Sequence, residues 1–201
     1  MSARTTVLDA VNQMLSCIGG AAVTTLDTDN PEVFTAKAIL EETTRNVLAE
    51  GWNFNMELEY PFPRQTNGEI LVPPNLISFT LSFMKHAADK MLVVERQGKF
   101  YNKEKHTYEF DDTIYCDVCW NFEFEDCPQP YREYITARAS RIYASRLVTS
   151  EELVELISQD ESTTRAICIE YDTQTAKANV FGQQDGLNAY SSYQPFRTLM
   201  R

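Results

Sequence analysis

The spacing of apolar residues changes period twice along this chain, and that change limits the folds open to it. Val7, Leu8, Val11, Met14, Leu15 and Ile18 recur at helical intervals and form one face of a first helix, over about 5–18. Thr5 or Thr6 suits its N-cap, and Gly19 supplies the left-handed residue that ends it. After "GAAVTTLDTDN" a second helix opens with Asn30 as N-cap and Pro31 at the first helical position. Val33, Phe34, Ala36, Ile39, Leu40, Thr43, Val47 and Leu48 carry its apolar face, and Gly51 stops it. From "WNFNMELEYPF" the period becomes two. Phe54, Met56, Leu58 and Tyr60 alternate with polar residues, which predicts a half-exposed strand.

More strand signals follow. "EILVPPNLISF" is interrupted at Pro73-Pro74, "KMLVVERQGKFYN" predicts a hairpin turning at Gln97-Gly98, and "HTYEF" and "TIYCDVCWNFEFE" predict two further strands. Helical spacing returns after Pro128 and Pro130. Tyr131, Tyr134, Ile135, Arg138, Ala139, Ile142 and Tyr143 share one face, with Arg132, Arg138, Arg141 and Arg146 giving a basic side. Ser150 caps a last helix with Glu151 and Glu152 in its first turn and Leu153, Leu156, Ile157, Thr164, Ile167 and Tyr171 as its stripe. The predicted class is α+β. An antiparallel bundle of about four helices (1–51 and 128–181) holds a β-rich insertion (52–127) and ends in an extended C-terminal arm (182–201). That arm spaces Tyr190, Tyr193, Phe196, Leu199 and Met200 among small polar residues. Disordered tails are poor in aromatics, so this pattern suits docking into a groove, in another molecule or in its own domain.

A formal charge of -11 argues against binding nucleic-acid backbone, which needs clustered Lys and Arg, although such a surface can line a passage through which DNA slides. No apolar run reaches the roughly 20 residues of a membrane span, and "MSARTTVLD" lacks the apolar core of a signal peptide. Folding in a cytoplasm, without membrane insertion, is the expectation. Five unevenly placed cysteines fit reduced thiols rather than a disulfide framework. Cys116 and Cys119 have the spacing of a zinc pair. On a strand, however, three steps put them on opposite faces, about 10 Å apart, too far to share a metal.

Phosphate-binding glycine loops and nucleophile elbows are absent from the sequence, and no cofactor is expected. His86 and His106 read as plain surface histidines. Paired carboxylates are the one enzymatic option that spacing leaves open, since glycoside hydrolysis needs only two at about 5–9.5 Å. Glu109, Asp111, Asp112, Asp117, Glu123, Glu125 and Asp126 are the candidates, with Tyr108, Trp120 and Phe122 to stack on sugars. With 29 acidic residues in the chain, a solvated or pore-lining face is the simpler reading. The arginines are expected in ion pairs with the acids of the last helix or with another copy.

The segment from Ala10 to Asn55 resembles the start of the tail tubular protein A family, head-to-tail adaptors of short-tailed phages. The resemblance rests on Ile18-Gly19, on Val23-Thr24-Thr25-Leu26, and on Gly51-Trp52-Asn53-Phe54-Asn55. "ILVPPNLISF", "TARASRIYASRL" and "CIEYD" (Cys168 to Asp172) match later and in order, while the β insertion matches loosely. Gly20 departs from a position that relatives often fill with a polar residue. The resemblance implies a non-enzymatic virion tail protein with no catalytic, cofactor or metal residues. It implies a ring of twelve copies joining the portal to the nozzle (tail tubular protein B), with tail fibres as a further contact. DNA would pass through the lumen without sequence-specific binding. It assigns the arm, Tyr190 to Met200, to the portal.

Overall fold

A computed structural model describes residues 4–26, 30–86, 91–148 and 150–176. The first helix, α1 (Val7–Cys17), starts on a capping box: the Thr6 side chain accepts from the Asp9 backbone N–H, and the Asp9 side chain accepts from that of Thr6. It ends in a Schellman turn, in which Gly20 N–H donates to Leu15 C=O and Gly19 N–H to Ser16 C=O. Gly19 has φ +78°. A Cβ on Gly20 would sit 3.0 Å from the Leu15 carbonyl oxygen, so the second glycine has a steric reason of its own. The exit that follows is held by Asn12, whose amide accepts from Val23 N–H at 2.7 Å and donates to Val23 C=O at 2.9 Å.

Helix α2 (Pro31–Leu48) begins as its sequence predicts, with the Asn30 side chain accepting from Glu32 N–H. Phe34 departs from the expected apolar face and is 76% exposed. Helices α4 (Gln129–Leu147) and α5 (Glu151–Thr175) complete the bundle; between α2 and α4 lie the strands and a one-turn helix α3 (Phe83–His86). Helix α4 is central and packs against α1, α2 and α5. Its burial runs around the helix, with Tyr131, Tyr134, Ile135, Ala139, Tyr143 and Ala144 all at most 1% exposed. Arg132 is a correction: it leaves the basic side and is 4% exposed. Its guanidinium donates to the carbonyls of Cys127 and Thr5 at 2.7 Å and to that of Glu125. On α5 the inward residues are Val154, Ile157, Glu161, Thr164, Cys168 and Tyr171, alternating three and four apart as in a coiled-coil seam. Leu156 and Ile167, expected in the stripe, are 61% and 47% exposed, because α5 uses a single narrow face against α4.

Strands β1 (Met56–Phe62), β5 (Ile114–Trp120) and β2 (Leu76–Leu81) form an antiparallel sheet with β5 in the middle. β3 (Val93–Arg96) and β4 (Lys99–Asn102) form the predicted hairpin, with Gln97 at φ 55° and Gly98 at φ 69°, both central residues left-handed as a type I′ turn requires. "HTYEF" is not a strand; it makes isolated bridges, Asn102 with Thr107 and Glu69 with Glu109. "NFEFE" also leaves the sheet and folds into a single 3-10 turn, Phe124–Asp126. The uniform inward face expected for β1 is broken. A bulge between Glu57 and Tyr60, with Glu59 at φ 54°, shifts the register by one residue. A one-residue shift exchanges faces. Met56 and Leu58 therefore point outward, 42% and 53% exposed, while Phe62 reaches the core.

Two apolar clusters result. One joins α1, α2, α4 and Cys168 with Trp52 and Phe124; the other gathers Phe62, Ile70, Phe100, Phe110, Ile114, Cys116, Val118 and Trp120 around the sheet. Cys116 faces the sheet cluster, whereas Cys119 Sγ contacts Leu48 and Asn55 on the other side, as alternation along the strand requires. No helix among the described residues is long and apolar enough to cross a membrane.

Replacing Gly19 with Ala forces a side chain into the left-handed region and is expected to cost about 1 kcal/mol. Thermal unfolding should show a fall of roughly 2–4 °C for a chain of this size.

Candidate functional site

The five residues Gly51 to Asn55 form the joint between helices and sheet. α2 runs out through Ala49, and Gly51, at φ +76°, turns the chain back over its end. Trp52 then enters the bundle core, donating its indole N–H to Val47 C=O at 2.7 Å. Its ring meets Tyr131 and Tyr134 edge-on, at centroid distances of 5.3 and 6.3 Å. Phe54 also meets Tyr131, at 4.3 Å, and stacks on Phe122 at 6.0 Å.

Asn55 is fully buried, and every polar group of its side chain is used. Its amide donates to Leu48 C=O and to Trp120 C=O, each at 2.9 Å, and its carbonyl accepts from Trp52 N–H at 2.8 Å. Its backbone C=O accepts from Trp120 N–H at 2.8 Å. One side chain thus fixes the end of α2, the turn and the end of β5. Asp172 of α5 closes the joint from outside: its carboxylate accepts from Asn53 N–H at 2.9 Å and from the Tyr131 hydroxyl at 2.5 Å. Burial, then the neighbouring carboxylate, pushes the Tyr131 phenol upward, so it stays a donor. The motif at 51–55 and "CIEYD", distant in sequence, meet here.

Around the joint the arginines are paired, as the sequence predicts, with partners inside the bundle. Arg138 reaches Glu50 at 2.5 Å and Glu161 at 3.9 Å, Arg141 binds Glu161, and Arg165 reaches Glu50 at 3.1 Å. Both Arg138 and Arg165 also donate to the Tyr134 hydroxyl, at 2.9 and 2.6 Å. Of the expected acids only Glu161 takes part; Glu50 and Glu42, on or just after α2, supply the rest, with Arg146 3.1 Å from Glu42. No local signal in the sequence pointed to Glu50.

The chemical candidates are dispersed. Glu109, Asp111 and Asp112 line a cleft of about 360 Å3 together with His86 and Lys105. Lys105 holds the Asp111 carboxyl below the usual carboxylate range, opposite to what a general acid needs. Asp117 accepts from Glu59 N–H inside the β1 bulge, and Glu125 accepts from Val7 N–H at the start of α1. Trp120 is buried in the sheet cluster, and Tyr108 packs edge-on to Tyr101, so neither is presented as a sugar platform. His106 is exposed as expected. His86 is not a plain surface residue: half-buried, it accepts at Nε2 from Tyr115 N–H at 3.0 Å. Among the described residues no cluster of three His, Cys, Asp or Glu could hold a metal. The arm residues Tyr190, Tyr193, Phe196, Leu199 and Met200 lie outside the described residues.

Replacing Asn55 with Leu removes the bonds that its side chain makes and strands the Trp120 carbonyl and the Trp52 N–H in the core, while the Leu48 carbonyl keeps Gly51 N–H and the Cys119 thiol. At about 1–3 kcal/mol for each stranded group, a loss of roughly 3 kcal/mol or more is expected from urea unfolding followed by tryptophan fluorescence. The thiols give a second measurement. Burial pushes Cys116, Cys127 and Cys168 up to about 12 from an ordinary value near 9.0. The folded state thus binds protons that the unfolded state releases, so this stability is full below pH 9 and is lost between about 9 and 12. The melting temperature should fall through that window, and at pH 8 a disulfide reagent should modify Cys17 well before the four buried thiols.

The profile of a known protein family, described as tail tubular protein, matches residues 8–178. The tail tubular protein A of Klebsiella phage KP34 is 29% identical over 122 residues, covering 61% of this chain and 62% of that relative. The aligned stretch is thus somewhat less than two thirds of the relative's length. It follows from the extent of the family match that this chain belongs to the tail tubular protein family and is a structural component of a phage tail.

Proposed function

We propose that the protein is the head-to-tail adaptor of a short-tailed phage, assembled in the host cytoplasm as a ring of twelve copies. The ring joins the portal to the tail nozzle, touches the tail fibres, and leaves a lumen through which DNA passes in packaging retention and ejection. Its work is assembly and docking rather than catalysis. The observation that carries this reading is the convergence of two of the stretches that carry the family resemblance, 51–55 and 168–172, on one joint. That joint makes the helices and the sheet move as a unit, which a load-bearing wall between two larger rings requires. Cyclic symmetry closes such a wall without open ends. The formal charge of -11 keeps passing DNA from adhering to it. In this reading the residues of 182–201, with their spaced aromatic groups, form the arm that docks on the portal.

Native mass measurement of the protein mixed with its portal, with particle images of the complex, is expected to give a twelve-fold ring below the portal. A variant ending at residue 182 is expected to keep the circular dichroism of the full chain and to lose portal binding. A variant that still binds would remove the arm from the mechanism, and a stable monomer with and without portal would overturn the adaptor reading.

A further inference from the structure

Within the chain, α2 and α5 both pack against α4 and run in the same direction. The ion pairs establish this: Arg138 meets Glu50 while Arg146 meets Glu42, and Tyr131 meets Asp172 while Arg141 meets Glu161, so both neighbours are antiparallel to α4. Each helix also carries a row of exposed residues beside the face that it packs on α4. At roughly 100° per residue, Glu152, Leu156, Asp160, Thr163, Ile167 and Glu170 of α5 fall within about 40° of Leu156, and all are exposed. On α2 the corresponding row is Phe34, Lys37, Ala38, Glu41 and Arg45, also all exposed.

The rows are complementary. The α5 row has two large aliphatic groups, 61% and 47% exposed, set among three carboxylates with no cation. The α2 row has a phenylalanine, 76% exposed, and two cations eight residues apart. Laid parallel with Phe34 beside Leu156, the rows bring Lys37 between Glu152 and Asp160 and Arg45 beside Ile167 and Glu170. Glu41, the one acid of the α2 row, then falls opposite Thr163 rather than a carboxylate. Beside the α2 row a cleft of about 370 Å3, floored by Val7, Leu40, Phe122 and Phe124, offers depth for an apolar side chain.

We propose that the exposed row of α5 docks on the exposed row of α2 in a second copy of this chain, as the repeating contact of the ring. This rests on the ring reading above and names the surface that makes it. Two different faces of the chain give a heterologous contact, the kind that builds rings. Rotation about an axis along the helices brings α5 of one copy against α2 of the next in parallel, the orientation in which the charges match.

The test uses the full chain and its portal. In a first variant Lys37→Glu and Arg45→Glu are combined; in a second, Glu152→Lys, Asp160→Lys and Glu170→Lys. Each is expected to remain folded by circular dichroism, since all five side chains are exposed, and to lose ring formation by native mass at least tenfold in midpoint concentration. Combining the two sets in one chain should restore the ring. A ring unaffected by either reversal overturns this interface while leaving the ring standing. A wild-type chain that stays monomeric with portal overturns both.

Discussion

Asn55 is the constraint on which the rest of the structure depends. Helices and sheet have separate apolar clusters, and burial alone would let them slide against each other. An amide with no exposure, bonded to the last turn of α2, to the turn after it and to the end of β5, fixes their relation. Directional bonds in a water-free site supply the specificity that apolar contact lacks. The aromatic groups of Trp52 and Phe54 then meet Tyr131, whose hydroxyl fastens α5 through Asp172.

Where structure is dictated by neighbours in sequence, the chain was legible. The Asn30-Pro31 start, the Ile18-Gly19 stop and the Gln97-Gly98 turn are local devices, and each formed where the residues placed it. What failed depended on distant partners. The alternation of Phe54, Met56, Leu58 and Tyr60 gave no warning of a bulge, because the bulge is stabilised by Asp117 in another strand. Arg132 looked like part of a basic side by spacing, yet its partners are carbonyls from 125, 127 and Thr5. The stripe on α5 misled for a simpler reason: apolar residues cover more of that helix than α4 covers, so pattern alone could not choose the inner face.

The same excess gives the molecule its character as a part rather than a whole. Arg138, Arg141, Arg146 and Arg165 bind Glu42, Glu50 and Glu161, while many carboxylates lie exposed. Lys37 and Arg45 are among the cations exposed on that surface. The candidate chemistry is scattered by comparison, and the residues that the family motifs mark are engaged in holding elements together.

The Arg132 clamp has a consequence in time. It grips Thr5 from a position 127 residues later, and the core that α1 and α2 share is completed by Tyr131, Tyr134 and Tyr143 of α4. During synthesis about 80 residues separate the end of α2 from the start of α4. At roughly 5–20 residues per second, the first two helices wait on the order of 4–16 s with their apolar faces uncovered. The sheet waits almost as long, because β1 and β2 pair only with β5, which ends nine residues before α4 begins, so sheet and bundle close at nearly the same time. A ribosome pausing between residues 62 and 129 would lengthen the exposure, which makes this stretch of the message the place where translation speed bears on yield.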